Sequence, residues 1–219
     1  MSKKSVIVLA KEKYGLNAAV KFLRKNFNRV DVFKGKRGDN FPRKAYNRRY
    51  DICVSYMSPW VIPDNLLSTI REFSINFHPG TPKYRGIGCT NFAVYNGEQE
   101  YGVTAHLMTS KIDSGRIISV KYFPVLPEYS LVDITQKCYR YILRQFYEVF
   151  NYYLKHGKLP VTGLKWSKRL YTRAELDRLC QIKKSMAWTE IKRRIQATNF
   201  PNMPKAYIQM FGYRFEYKE

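Results

Sequence analysis

Three residues whose types suit acyl transfer lie close together in the middle of the chain. Asn76 and His78 are two residues apart, so on a strand their side chains point to the same face. Asp113 follows in a Lys-Ile-Asp-Ser-Gly loop, from which a carboxylate can reach back to that strand. An amide or a protonated imidazole can stabilise a developing oxyanion, and a histidine held by a carboxylate can move protons. The three residues are therefore candidates for transferring an acyl group to an amine.

Each of these residues also has an ordinary structural interpretation. Asn76 and His78 can end a strand without taking part in chemistry, and Asp113 can form a turn beside Gly115. Spacing alone favours that interpretation for any one of them. Neither a Gly-x-Ser-x-Gly segment nor a catalytic-cysteine context occurs in the sequence, so we predict no covalent intermediate on the protein.

The apolar pattern predicts an α/β sheet that carries these residues at one edge. Runs typical of buried strands occur at 6–10, 30–33, 51–55, 74–77, 102–108 and 116–123. Because helical spacing alternates with these runs, as over 16–23, the sequence predicts a Rossmann-like, mostly parallel sheet flanked by helices. Ligands bind at the carboxyl ends of such strands, which is where Asn76 and His78 are expected.

A long helix is predicted over 131–156, with Gly157 as its C-cap. Two of its sides are apolar: one carries Ile134, Cys138, Tyr141, Ile142, Val149 and Tyr152, the other Tyr139, Leu143, Phe146 and Phe150. A helix of this kind must be covered on two sides, so we expect the sheet on one side and the C-terminal segment or a second subunit on the other.

The chain is divided accordingly into a catalytic domain, 1–157, and a short α+β extension, 158–219. We expect the extension to serve packing and dimerisation, with a short helix near 188–197 and a final strand over 207–217.

Composition limits the partners without choosing among them. A formal net charge of +22 over 219 residues attracts polyanions, meaning nucleic acid, anionic membranes or phosphate-bearing small molecules. The basic stretch 34–49 is interpreted as a solvated loop. The four cysteines are far apart and show no metal-ligand spacing, and the first apolar run is too short for a signal peptide or a membrane span. The sequence predicts a cytoplasmic protein with no metal and no membrane span.

Three consecutive motifs carry a resemblance to a known family. They are Asn-Phe-His-Pro-Gly-Thr-Pro-Lys-Tyr-Arg-Gly at 76–86, Gly-Val-Thr-Ala-His at 102–106, and Asp-Ser-Gly-Arg-Ile at 113–117. In order and spacing they resemble the formyltransferases that use 10-formyltetrahydrofolate. The resemblance implies that fold and that co-substrate, with Asn76, His78 and Asp113 as the catalytic residues and His106 in support. It also implies folate contacts at Tyr56, Met57, Ile62, Ile112 and Asp113.

The acceptor is predicted from features outside the catalytic residues. A tRNA formyltransferase would carry a second β-rich domain of roughly a hundred residues, and the 62 residues after Gly157 weaken that interpretation. A glycinamide ribonucleotide enzyme would carry a Gly-rich phosphate loop after the first strand, whereas residues 11–15 are Lys-Glu-Lys-Tyr-Gly. Segments 171–176 and 191–213 resemble the closing part of sugar N-formyltransferases. Thr81 and the segment 86–91 depart from the family pattern and leave the shape of the amine pocket open.

These features predict transfer to the amine of a nucleotide-linked amino sugar, with a dTDP-4-amino-4,6-dideoxyhexose as the narrower hypothesis. Lys83 and Arg85, in the loop after the catalytic strand, are predicted to bind its diphosphate. We expect a homodimer and no specific nucleic-acid partner. Two alternatives stay open: a methionyl-tRNA formyltransferase-like enzyme, and a non-catalytic nucleic-acid-binding protein on the same scaffold.

Overall fold

Strands and helices alternate through the first half of the chain in a computed structural model that describes residues 2–218. The strands are β1 (Ser2–Ala10), β2 (Phe27–Lys34), β3 (Ile52–Tyr56), β4 (Phe73–His78), β5 (Arg85–Gly86), β6 (Glu100–Leu107), β7 (Ile117–Pro124), β8 (Leu170–Tyr171), β9 (Gln181–Ile182), β10 (Tyr207–Met210) and β11 (Tyr213–Glu216). The helices are α1 (Leu16–Asn26), α2 (Asp64–Leu67), α3 (Cys89–Tyr95), α4 (Leu131–His156), α5 (Arg173–Cys180) and α6 (Trp188–Thr198), with a 3-10 turn at Arg43–Tyr46.

A six-stranded sheet in the order β2-β1-β3-β4-β6-β7 forms the centre of the fold. Strands β1 to β4 are parallel, whereas β6 runs antiparallel to β4 and β7 antiparallel to β6. The apolar residues of β1 and β3 are buried because helices cover both faces, as parallel sheets require. The predicted mostly parallel Rossmann-like α/β fold is confirmed.

Helix α4 has the predicted bounds, because both of its ends are encoded locally. Ser130 caps the first turn in a capping box with Asp133, and Gly157 ends the helix in the left-handed conformation with φ 66°. Phe146 and Phe150 are fully buried among the core aromatics. Helix α1 covers part of the second apolar side, where Phe22 packs edge-on against Phe146 and Tyr147.

The extension packs closely on the catalytic body. Strand β8 pairs with β5, the Asn91 amide donates to the Ala197 carbonyl at 2.8 Å, and the Tyr95 hydroxyl donates to Glu190 at 2.9 Å. The predicted single strand over 207–217 is wrong: β10 and β11 form a hairpin that turns at Phe211 and Gly212, both with positive φ. The proposed division into two units stays a prediction.

None of the helices within residues 2–218 combines the length and the apolar character needed to cross a lipid bilayer.

Candidate active site

Two adjacent strands and one loop bring the predicted site residues together. Asn76 and His78 lie at the carboxyl end of β4, and Asn76 is the register partner of His106 on the antiparallel strand β6. Asp113 lies in the loop that connects β6 to β7. The sheet therefore fixes the separation of Asn76 and His106, while the loop carries the carboxylate back to them.

Asp113 stands between two imidazoles. Its Oδ2 is 3.4 Å from Nδ1 of His78 and its Oδ1 is 3.3 Å from Nε2 of His106. The same Nε2 is 3.0 Å from the amide nitrogen of Asn76, and Nδ1 of His106 donates to the Leu107 carbonyl at 2.8 Å. His106, predicted to be a supporting residue, thus contacts both Asn76 and Asp113.

His78 is surrounded by acceptors. Its Nε2 donates to the Tyr84 carbonyl at 2.8 Å, and its Nδ1 faces the Asp113 carboxylate. Burial by itself lowers the pKa of His78, but the Asp113 carboxylate, Cys89 and the Tyr84 carbonyl outweigh it and raise that pKa to about 9. Conversely, burial disfavours the charged form of Asp113, yet His78, His106 and the Gly86 N–H hold its pKa well below the ordinary value. The pair is a buried imidazolium and carboxylate at neutral pH.

The Asp113 loop is held by Arg85. The guanidinium donates to three carbonyl oxygens, those of Asp113 at 2.6 Å, Ser167 at 3.0 Å and Ile112 at 3.2 Å. Asp113 itself has a positive φ of 43°, a conformation that a non-glycine residue keeps only when its surroundings enforce it. Arg85 therefore acts here as a brace for the loop.

Gly86 completes the carboxylate's hydrogen bonds, since its N–H donates to Oδ2 of Asp113 at 2.8 Å. Its φ is +87°, and a Cβ at this position would lie 2.3 Å from the carbonyl oxygen of Tyr171 on the paired strand β8. Only glycine fits this close approach.

The extension supplies a residue that the sequence did not reveal. Trp166 donates its indole N–H to the Gly115 carbonyl at 2.7 Å, and its ring lies 5.0 Å from the ring of His106 and 5.8 Å from that of His78. Trp166 therefore covers both imidazoles from the side of the extension. A tryptophan in a segment rich in Lys and Arg was the sequence feature that could have indicated its role.

A cleft of about 580 Å³ opens over these residues, and Asn76, His78, His106 and Asp113 all line it. This volume is in the usual range for a small-molecule site. Six of the cleft's apolar lining residues, together called the apolar wall, suit a flat heteroaromatic ring: Met57, Pro59, Trp60, Ile62, Met108 and Ile112. Three of the four predicted folate residues other than Asp113 are therefore on the cleft wall. Tyr56 is the exception, because its side chain is fully buried in the core with its hydroxyl donating to the Tyr14 carbonyl at 3.3 Å.

Lys83 and Arg85 have protein partners and are not among the residues that line the cleft. Lys83 forms an ion pair with Glu98 at 2.5 Å, and the guanidinium of Arg85 is used by the three carbonyl groups. Their binding of a phosphate stays a prediction, and in this structure their charged groups contact protein partners instead. The basic side chains that do line it are Lys11, Lys13, Arg37, Lys111 and Arg173. Arg37 belongs to the stretch 34–49 that was interpreted as a solvated loop.

Within residues 2–218, no group of three or more His, Cys, Asp or Glu side chains is arranged to hold a metal ion.

Comparisons of sequence match part of the chain, whereas comparisons of structure extend the likeness in fold over 99% of it. A methionyl-tRNA formyltransferase of Limosilactobacillus fermentum is 38% identical over 76 residues, which are 34% of this chain and 24% of that protein. The chain therefore matches only about a quarter of that relative's length. A sugar N-formyltransferase from a Shewanella species superposes with a TM-score of 0.77 at 15% identity, over 99% of this chain and 97% of that one. A 4-N formyltransferase from Francisella tularensis gives a TM-score of 0.80 at 19% identity over the same shares.

The likeness of these two structures concerns the fold. Family membership follows from the family model named Formyl transferase, which matches residues 3–146 and so includes β4, β6 and the Asp113 loop. These segments carry the four polar residues that meet in the cleft. On this evidence, the chain belongs to the formyl transferase family.

Proposed function

We propose that this protein transfers the formyl group of 10-formyltetrahydrofolate to the amine of a nucleotide-linked amino sugar. The observation that carries the proposal is the buried Asp113 carboxylate between His78 and His106, beside the Asn76 amide and under an apolar wall. The formyl transferase family uses formyl-tetrahydrofolate. The apolar wall fits the pterin of that donor, with Met57, Ile62 and Ile112 as its contacts.

The donor supplies an electrophilic formyl carbon and the nitrogen that leaves it. The protein must stabilise the negative charge on the formyl oxygen and move one proton from the attacking amine to the leaving nitrogen. Negative charge develops on the formyl oxygen as the amine attacks. The Asn76 amide and the positive charge of His78 stabilise that oxygen in a site with little water. The attacking amine loses one proton and the leaving nitrogen gains one, so no net proton is consumed.

His106 is the group we propose to take the amine's proton. Because its Nδ1 donates to the Leu107 carbonyl, its Nε2 carries a lone pair when the ring is neutral. Turning the Asn76 amide from Nε2 toward the formyl oxygen leaves that lone pair facing the amine. Oδ1 of Asp113, 3.3 Å away, then stabilises the imidazolium that forms.

The choice of an amino sugar is supported by a difference in TM-score and not by coverage. The sugar and 4-N formyltransferase structures give 0.77 and 0.80 over 99% of the chain, whereas a methionyl-tRNA formyltransferase structure from Clostridium thermocellum gives 0.70 over the same share. In sequence, the methionyl-tRNA formyltransferase of Limosilactobacillus fermentum matches 76 residues. A dTDP-4-amino-4,6-dideoxyhexose remains the narrower hypothesis. The methionyl-tRNA alternative is supported by that relative and by the net charge of +22.

The test compares acceptors under one salt concentration. Purified protein and 10-formyltetrahydrofolate are incubated with a panel of dTDP- and UDP-linked amino sugars or with methionyl-tRNA, and formylated product is measured by mass spectrometry. We expect turnover on a nucleotide-linked amino sugar. Turnover on tRNA alone would favour the alternative acceptor. Absence of transfer to either, with salt-sensitive and sequence-independent RNA binding, would favour a non-catalytic protein.

A homodimer is part of the same proposal. The hairpin β10–β11 exposes three aromatic side chains: Phe211 is 86% exposed, Tyr213 71% and Phe215 52%. Exposed aromatic side chains grouped on one element favour burial against another subunit. Light scattering after size-exclusion chromatography should give twice the monomer mass, and Phe211→Ser with Phe215→Ser should give the monomer mass.

A further inference from the structure

We infer that Lys11, Lys13, Arg37 and Arg173, together called the basic cluster, form one anion subsite of the cleft that takes the acceptor's diphosphate. This inference rests on the proposed nucleotide-sugar function for the identity of the anion. It replaces Lys83 and Arg85 by residues that line the cleft.

The fold brings the basic cluster together from three separate segments. Lys11 and Lys13 follow β1, and Arg37 follows β2, the neighbouring parallel strand, so their loops leave the sheet at the same edge as the site. The loop of Arg37 is fastened to the cleft wall by Trp60, whose indole N–H donates to the Asp39 carbonyl at 2.9 Å. Arg173 comes from the extension, as the first residue of α5.

The charges of the basic cluster are close enough to act on one another. Burial lowers the pKa of Lys11, and Lys13, Arg37 and Arg173 lower it further. Burial and then Arg37 lower the pKa of Arg173 in the same way. Four like charges that share a cleft destabilise the fold unless a negative charge joins them.

Carboxylates of the protein do not neutralise this cluster. None of its four members takes part in a salt bridge within residues 2–218. Glu12 lies between Lys11 and Lys13 in sequence, yet it pairs with Lys34 at 2.6 Å. Asp177 is near Arg173 but only partly offsets the lowering of the pKa of that arginine.

Arg173 carries the most specific sign of a missing partner. Its Nε is buried and has no hydrogen-bond partner among the described residues, which leaves a charged donor unsatisfied. It also stands in the first turn of α5, where the helix dipole disfavours a cation and favours an anion. An anion beside Arg173 interacts favourably both with the guanidinium charge and with the dipole of α5.

A diphosphate matches the cluster better than a single carboxylate does. Two arginines offer planar forks that bind phosphate oxygens in pairs, and two lysines add point charges. The cluster and the catalytic residues line one cleft, so an acceptor bound by its phosphates to the cluster stays in the cleft that contains Asn76 and His106. We therefore assign acceptor binding to this cluster and donor binding to the apolar wall.

Inorganic pyrophosphate is the probe, and titration calorimetry measures its binding to the full chain. We expect Arg37→Gln and Arg173→Gln each to weaken binding about tenfold or more, in line with the loss of a charge-assisted hydrogen bond. Lys36→Gln and Arg178→Gln are matched controls, since they remove the same charge from the same loop and the same helix outside the cleft. The controls should bind within about twofold of the parent, as expected when no phosphate contact is lost.

A second measurement separates this inference from the proposed function. Pyrophosphate should leave the affinity for a reduced folate unchanged, and Arg173→Gln should raise KM for the nucleotide sugar much more than it lowers kcat. Equal pyrophosphate binding by parent and cluster variants, or displacement of folate by pyrophosphate, would overturn the subsite. If pyrophosphate binding depends on the cluster but no amino sugar is formylated, the anion subsite stands and the proposed acceptor is wrong. Circular dichroism of each variant checks that it is folded. Lys11→Gln, in the segment after β1, should also weaken pyrophosphate binding.

Discussion

Oδ2 of Asp113 lies 3.4 Å from Nδ1 of His78, and less than a tenth of either side chain is exposed. The two residues form a buried ion pair, and removing either charge leaves the other buried without an opposite charge, which destabilises the folded protein. This ion pair connects strand β4 to the Asp113 loop, which three hydrogen bonds from Arg85 and Gly86 hold in position.

Asp113→Asn should reduce turnover by about a hundred- to a thousandfold, since it removes the charge that keeps His78 protonated. The pKa of His78 should fall from about 9, because the Asp113 carboxylate is the largest of the groups that raise it, and only Cys89 and the Tyr84 carbonyl are left to oppose burial. An NMR titration of the His78 ring measures the pKa, and a single-turnover assay measures the rate. Asp64→Asn, at an exposed position in α2, is the control. An unchanged pKa of His78 in Asp113→Asn would contradict this account.

The stability of the protein should fall as pH rises from about 6.5 to about 9. The pKa of His78 is raised from 6.5 to about 9 in the folded protein, so its protonation stabilises the fold fully below 6.5 and not above 9. The loss is on the order of 3 kcal/mol. Denaturant unfolding at several pH values should show this slope in the parent and a much flatter one in His78→Asn. Equal slopes in both proteins would exclude His78 as the cause.

Arg85→Ala should lower both stability and kcat, because three carbonyl groups lose a charged donor and the Asp113 loop loses its brace. A cost of about 2 kcal/mol or more is expected for charged hydrogen bonds. Arg85→Lys should show nearly the same losses of stability and kcat, since a lysine ammonium cannot reproduce the planar set of N–H donors of the guanidinium. Thermal unfolding and initial-rate kinetics measure the two effects. A rise in KM for the acceptor, with kcat and stability unchanged, would instead return Arg85 to the role of a phosphate contact.

Gly86→Ala should be far more damaging than Gly97→Ala, although both glycines have positive φ. A Cβ on Gly86 would meet the Tyr171 carbonyl at 2.3 Å, whereas a Cβ on Gly97 would have no neighbour within 4 Å. The change at Gly97 therefore measures the cost of the backbone conformation alone, about 1 kcal/mol. The difference in unfolding free energy between the two variants isolates the contact with β8. Similar losses would show that this contact is easily relaxed.

His106→Gln should reduce kcat and change the pH–rate profile, because it removes Nε2, the proposed acceptor of the amine's proton. Glutamine keeps a polar side chain in the buried position but cannot carry the proton. His156→Gln, at the end of α4, is the control. A variant with lower kcat and an unchanged pH profile would assign His106 a positioning role.

Local patterns predicted the strands and the long helix well, because buried apolar runs and caps are encoded over a few residues. Helix α4 begins after Ser130 and ends at Gly157 as expected, and Asn76 and His78 share the end of β4. The hairpin turn at Gly212 was missed, although a glycine inside a predicted strand is a turn signal.

The basic cluster and the brace were not predictable from spacing. Arg85 follows the catalytic strand in sequence, but its partners are in a loop 28 residues later and at Ser167. Arg37 and Arg173 meet at the cleft from segments 136 residues apart, and no local pattern distinguishes them from other exposed arginines. Such contacts are set by tertiary packing rather than by sequence periodicity.

The pairing of β5 with β8 has a consequence for the order of folding. Strand β5 adjoins the Asp113 carboxylate through Gly86, yet its partner Leu170–Tyr171 is synthesised some 85 residues later. Pairing over so long a loop is slow compared with local structure formation. The surroundings of the carboxylate are therefore complete only when the segment from Trp166 to Tyr171 is docked. A chain that has not yet acquired this segment has both histidines but an incomplete site.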